Sequence, residues 1–305
     1  MAPTAVSLDK TTSLPAAKST LPEDGSHVHG TEDNSPLAAI SHGDNVLPGI
    51  PRFDSFEAQR QWQLEHMAAA FRHWSREGYV VGMTGHISVR DPEHENVMWI
   101  NPSKQLGVHF GLLNASDMIA VNMNDGTIVG GNRSRPPNAA GFLIHSECHR
   151  ARPDVHAICH AHSIHGKAWS SFGKPIEMLT QDACKFYKAH SVYDSYGGVV
   201  FVAEEGKCIA RALGQNKACI LRNHGLLTVG QTVDEAAFLF LTLEHSCQGQ
   251  LLAEAAAANG ISKALIPDEE AAYTYMMESD PEVCYCEFQV YYDFEDRVLK
   301  GEFKQ

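Results

Sequence analysis

Histidines at short, regular spacing carry the chemistry of this chain. Residues 142–165 read FLIHSECHRARPDVHAICHAHSIH, and His160 and His162 flank Ala161 directly after the apolar run Val155, Ala157, Ile158 and Cys159. Alternate residues of a strand share a face and lie about 6.5–7 Å apart. A His-x-His pair at a strand end can therefore approach one cation from one side, and neutral imidazole is the commonest metal ligand. The plain alternative is two ordinary residues in a chain with 17 histidines. A third imidazole, His224, ends a second apolar strand (218–222) and precedes Gly225, a position that points into the cleft at the sheet's edge. Three nitrogen ligands with open positions left over are the pattern of a catalytic rather than a structural metal. Each ring must be neutral, and its second nitrogen should meet an acceptor. His27-Val28-His29 repeats the spacing in a polar stretch without further ligands and is discounted.

The elements that must position these rings follow from patterning. Residues 1–50 are rich in Ser, Thr, Pro, Gly, Asp and Asn and poor in aromatics, which predicts a disordered tail. From Ser55 to Glu77 the apolar positions Phe56, Trp62, Leu64, Met67, Ala68, Phe71 and Trp74 recur at helical spacing, with Ser55 as N-cap and Gly78 as stop. Residues 79–90 read as strand, turn, strand, with Gly82 and Gly85 permitting close backbone approach. Strands at 97–100 and 118–122 follow, then an Asp125-Gly126 turn with return strand 127–129. Asn138 caps a helix to about Arg150, and 155–160 is the apolar strand. Beyond it come a helix at 163–171, a strand at 197–203, a helix at 204–213 and the strand pair around His224. The capping box Thr232-Val233-Asp234-Glu235 opens a long helix to about Ala258. Residues 259–305 read as a C-terminal extension, a loop and a helix that pack on the 53–258 domain or on a neighbouring subunit. The pattern is α/β with one core and mixed strand directions.

Composition narrows the function classes. The chain has 305 residues, 44% of them hydrophobic, enough for a substantial core. A net charge of −13 argues against a general nucleic-acid binder. No apolar run approaches the ~18–20 residues of a membrane span. The eight scattered cysteines read as reduced core thiols, and with no secretory signal the expected location is cytoplasmic. There is no Walker loop and no GxGxxG after a strand.

Several ordered motifs together resemble the class II aldolase/adducin family. They are Thr84-Gly85-His86-Ile87-Ser88-Val89-Arg90, Ile144-His145 followed by Arg152-Pro153-Asp154, His160-Ala161-His162, and Leu221-Arg222-Asn223-His224-Gly225 ahead of the Thr232 helix. The resemblance implies a three-layer α/β/α fold around a mainly antiparallel central sheet. It also implies a homotetramer with sites at subunit boundaries and a divalent metal on His160, His162 and His224, zinc first, with iron or manganese as alternatives. The family's sugar-phosphate aldolases carry an acid–base Glu where this chain has Gly141, small hydroxyl residues where it has Ala139 and Ala140, and a phosphate-loop Asn where it has His86. Those three departures place the chain nearer the adducin-like branch.

By position in that loop, Gly85 and His86 are candidate substrate-binding residues. Arg133 and Arg135, just before the helix N-terminus, are candidates for a carboxylate or phosphate. His145 lies one helical turn beyond Gly141 on the same face and is the candidate catalytic proton carrier, with Tyr187 and Tyr196 as possible acids. The leading expectation is a metal-dependent lyase, by decarboxylation or C–C cleavage of a small anionic hydroxy- or oxo-acid through a metal-stabilised enolate. Loss of CO2 needs no base at the outset, which suits a site without the Glu. The alternatives are an Fe(II)-dependent oxygenase on the same three histidines and a non-catalytic adducin-like assembly module.

Overall fold

Local signals account for most element boundaries. In the computed structural model, which describes residues 35–41, 45–103, 109–198 and 202–305, helix α1 spans Pro36–Ile40 and α2 spans Phe56–Arg76. The Ser55 hydroxyl accepts from the Ala58 amide at 3.1 Å, and Gly78 takes a φ of +77° just past the helix end. Strands β1 (His86–Arg90), β2 (Val97–Ile100), β3 (Ile119–Asn122) and β4 (Ile128–Gly131) follow. Helix α3 (Ala139–Ala151) starts on Asn138, whose side chain accepts from the Gly141 amide at 2.9 Å. Then come β5 (Ala157–Ala161), α4 (Ile164–Ser170), β6 (His190–Tyr193), α5 (Ala203–Leu213), β7 (Ala218–Leu221) and β8 (Gly225–Gly230). The chain closes with α6 (Val233–Ala257), α7 (Asp268–Glu278) and α8 (Pro281–Leu299). The Thr232 hydroxyl accepts from the Glu235 amide at 3.0 Å, as the capping box predicts.

The strands form one eight-stranded sheet in the order β4-β3-β2-β1-β5-β8-β7-β6, antiparallel except for the β6–β7 edge. Helices cover both faces. On one, Ile144 and Cys148 of α3 and Ile209 and Leu213 of α5 pack on Ile158, Cys219 and Leu227. On the other, Phe71 and Trp74 of α2, Leu239 and Phe240 of α6 and Phe288 of α8 pack on Ile87, Cys159 and Ile220. Trp74, Phe71 and Phe240 are fully buried, and burial of an aromatic of this size stabilises by about 2–3 kcal/mol each. The expected three layers and mainly antiparallel sheet are present.

Several local expectations are corrected. Residues 79–82 are not a strand of the sheet; only an isolated Val81–Thr84 bridge precedes β1. The expected strand at 197–203 falls partly on 199–201, outside the described residues, and Ala203 already belongs to α5. The edge strand is instead His190–Tyr193, parallel to β7. The C-terminal segment forms two helices, and α8 packs against α2 and α6 of the same chain. Of the expected N-terminal tail, 1–34 and 42–44 lie outside the described residues. Its described part begins order before Phe53: α1 touches α7 and α8, and the Ile50 amide donates to the Glu282 carboxylate. Among the described residues, no helix is long and apolar enough to cross a membrane.

Candidate metal centre

The sheet brings the three expected histidines together. His160 sits in β5 on the face of Ile158, toward α3 and α5, and His162 lies just past the strand end. His224 comes from the tight β7–β8 hairpin, where Leu221 pairs with Gly225. Asn223 takes a left-handed φ of 58° in that turn. At position 225 a Cβ would stand 2.9 Å from the Ala161 carbonyl oxygen, so only glycine lets the hairpin lie against β5. The ring centroids are 5.1 Å (His160–His162), 4.8 Å (His160–His224) and 4.9 Å (His162–His224) apart, all edge to face. One nitrogen from each ring lies within 4.8 Å of the others.

Protonation and tautomer suit ligation. Burial holds all three rings below the usual histidine range. His162 falls to about 4, with His224 and Lys167 adding to the effect, and His160 lies well below normal, its neighbouring rings reinforcing burial. His224 is lowered by burial and drawn partly back by Glu205. The Leu226 carbonyl can only accept, so the 2.8 Å contact fixes a proton on His160 Nδ1 and leaves Nε2 as a free lone pair. Three neutral nitrogens, with one already oriented by a carbonyl, fit a borderline divalent cation such as zinc or iron.

A buried carboxylate holds this geometry, and sequence reasoning missed it. Glu244 of α6, 2% exposed, accepts from the Ser163 hydroxyl at 2.5 Å and from the backbone amides of His165 and Gly166 at 2.8 and 2.6 Å. It thereby caps α4 immediately after His162. Its signal is invisible in sequence, because the partner lies some 80 residues away on a helix that already reads as core. Glu244→Ala leaves those donors unpaired and buried, and should lower unfolding free energy by about 3 kcal/mol, with Glu244→Gln losing less. Denaturant unfolding of the variants measures it, and equal losses would contradict the capping role. A second acid, Glu205 of α5, accepts from the Tyr193 hydroxyl at 2.9 Å and is the carboxylate that acts on His224.

The remaining expected site residues divide. His86 is brought to the site: β1 and β5 pair it directly with His160, and the two rings stack at 5.8 Å. Gly85, at φ +102°, makes the turn into that strand, since a Cβ there would meet Phe110 at 2.8 Å. His145 lies one ring further from the cluster. It makes ring contact with His86, edge-on at 5.7 Å, and with none of the three histidines. Its Nδ1 donates to Ser88 Oγ at 2.7 Å, Ser88 donates to His149 Nε2 at 2.9 Å, and His149 Nδ1 donates to the Val155 carbonyl at 3.3 Å. His145 is thus buried behind His86, hydrogen-bonded through Nδ1, while its Nε2 has no partner among the described residues. Arg133 is exposed and donates to Val129 of its own hairpin at 2.8 Å. Arg135 is half-buried near the start of α3. Tyr187 is half-buried beside Lys188, and Tyr196 is 57% exposed.

A family model described as the Class II Aldolase and Adducin N-terminal domain matches residues 65–251, which contain the whole cluster. The chain belongs to the class II aldolase and adducin family. A solved L-fuculose 1-phosphate aldolase from Glaciozyma antarctica PI12 is 41% identical, with a TM-score of 0.75 over 84% of this chain and 97% of that one. Among curated proteins, a meiotically up-regulated gene 14 protein of Schizosaccharomyces pombe is 46% identical over 74% of this chain and 86% of its own length. Two Streptomyces proteins are each 42% identical over 70% of this chain. One, from Streptomyces roseochromogenus, is named 4-hydroxy-3-prenylphenylpyruvate oxygenase/4-hydroxy-3-prenylbenzoate synthase, with 76% of its length covered. The other, from Streptomyces niveus, is named decarboxylase NovR, with 78% covered. The matched segment holds the three histidines together with Gly141.

Proposed function

We propose that this chain is a metal-dependent lyase that decarboxylates, or otherwise cleaves a C–C bond in, a small hydroxy- or oxo-acid. The observation that carries the reading is the convergence of three neutral imidazoles beside a helix start whose position 141 holds no carboxylate. His160, His162 and His224 would hold the ion, zinc first, with iron or manganese as alternatives. When bound, the ion would supply the Lewis acidity that accepts the electron pair left by the departing carbon. Leu226 keeps His160 turned to the ion through its carbonyl, and Glu244 keeps the segment after His162 in place. A tyrosine or a water at the open side would return the later proton. The printed names of the two Streptomyces relatives, one a decarboxylase, support an acid substrate. A homotetramer with sites at subunit boundaries belongs to the same reading, and exposed Ile164 and Phe172, at the two ends of the α4 segment that follows His162, would give that boundary apolar surface.

The test is elemental analysis of the purified full chain, then incubation of the metal-loaded protein with aromatic and aliphatic hydroxy- and oxo-acids. Metal-dependent release of CO2 or an aldehyde is expected. Silence from a fully loaded protein across a broad panel would defeat the reading. A second reading, an Fe(II)-dependent oxygenase, is favoured by the oxygenase name of the Streptomyces roseochromogenus relative. Anaerobic iron loading followed by substrate-dependent oxygen uptake separates the two.

A further inference from the structure

The last turn of α2 carries a second group of donors, in the layer of α2, α6 and α8, across the sheet from α3 and α5. His73 is 6% exposed, yet neither ring nitrogen has a hydrogen-bond partner among the described residues. Its Nε2 stands 3.6 Å from Glu77 Oε1, and its Nδ1 stands 3.9 Å from Glu295 Oε1 of α8, both beyond hydrogen-bonding distance. The other Glu77 oxygen faces Nε2 of His245, from α6, at 4.0 Å. Glu295 is fully buried: its Oε1 accepts from Arg76 Nε at 2.6 Å, and its Oε2 has no partner. Two carboxylates therefore flank the ring with one guanidinium between them in contact, which leaves negative charge uncompensated at a buried place. Burial, with Arg76 and His245 adding to it, lowers His73 to about 4, so its ring is neutral and keeps a lone pair at neutral pH. Buried polar atoms left unpaired are destabilising, and in a native structure they call for a partner.

We propose that His73, Glu77 and His245 form a second divalent-metal site, suited to zinc, that clips α2 to α6 and, through His73 and Glu295, to α8. His73 and Glu77, four residues apart, project from one face of a helix, and the second imidazole comes from the neighbouring helix. Two nitrogens and a carboxylate are a zinc donor set, and a ligating histidine characteristically donates its other N–H to a carboxylate. Glu295 stands where that acceptor is needed. Ligand atoms about 2.0–2.1 Å from a tetrahedral ion lie about 3.4 Å apart, close to the 3.6 Å between His73 and Glu77. Glu77 presents one oxygen to each imidazole, and the side chain of His245, 57% exposed, turns inward to complete the set. That movement makes this the weaker of the two sites, filled on zinc addition and emptied by desalting. The ion supplies the positive charge that Glu77 and Glu295 lack.

The experiment titrates zinc into the desalted full chain, read by calorimetry and by thermal unfolding at each zinc concentration. Wild type should take up one equivalent beyond the three-histidine site and melt a few degrees higher as it does so. His245→Ala, a change at an exposed side chain that leaves the fold intact, should bind that equivalent at least about tenfold more weakly and lose the zinc-dependent rise in melting temperature. His73→Leu should do the same while the three-histidine site still fills. His224→Ala, which breaks the three-histidine set, should still take up one equivalent on zinc addition, and the double variant His224→Ala/His245→Ala none. The proposal is overturned if wild type and His245→Ala bind added zinc alike, which is adventitious surface zinc only. It is equally overturned if His224→Ala takes up none, or if the uptake leaves the melting temperature unchanged. None of these outcomes bears on the lyase reading, which depends on the other three histidines.

Discussion

A His224→Ala chain is expected to lose its metal and its turnover together while keeping its fold. The ring lies in a hairpin turn, half-buried, and makes no hydrogen bond that holds an element. Truncation should therefore change unfolding free energy by less than about 1 kcal/mol. A two-histidine remnant holds a divalent ion poorly, and the several kcal/mol of charge stabilisation that a Lewis acid contributes correspond to about a thousandfold in rate or more. Metal content and product release, measured on the same preparation, should fall in parallel. A variant that retains a full metal equivalent would place the ligand set elsewhere.

The second large effect is acid unfolding. Burial, as the leading cause, lowers His86 and His149 to about 3 and His145 well below its usual value. In the unfolded chain each returns to about 6.5. Between about pH 6.5 and 3 the unfolded state therefore binds more protons than the folded state, and stability falls as pH falls. Above 6.5 these groups contribute no slope. Each adds about 1.4 kcal/mol per pH unit, so the three together give about 4 kcal/mol per unit. Against a typical stability of 5–15 kcal/mol, the fold should be lost between about pH 5 and 3. Asp91, whose pKa is lowered to about 2 chiefly by Arg60 working against burial, adds to the same trend only below about 4. Denaturant midpoints from pH 7 to 5 test this. His149→Gln, which cannot titrate, should shallow the slope by about 1.4 kcal/mol per unit. A flat profile over that range would contradict the buried, neutral assignment.

The three-histidine face was legible because its signals are local and its family motifs are ordered. His-x-His ends a short apolar run that reads as a buried strand, and His224 precedes a glycine that a crossing backbone demands. Helices with clear caps, at Ser55, Asn138 and Thr232, were placed within a residue or two for the same reason. What escaped depends on register and distance. That His86 flanks His160 follows only from the β1–β5 pairing, which the sequence does not specify. Helical spacing puts His145 on the face of Gly141, and the His86 ring that stands against it comes from a distant strand that such spacing does not register. Glu244 reads as one of several polar residues in a long helix whose apolar positions mark it as core. The edge strand His190–Tyr193 is short and half-buried throughout, so it lacks the alternation that marks a strand with one wet face.

The β1–β5 ladder gives the site a division of labour. The three-histidine cluster is built from β5 and the β7–β8 turn, whereas its lateral neighbour is supplied by β1. Whatever side chain stands at 86 is set beside His160 from a fixed direction, because the strand hydrogen bonds and not the side chain itself determine where it sits. A change of residue there leaves the backbone that carries the cluster in place.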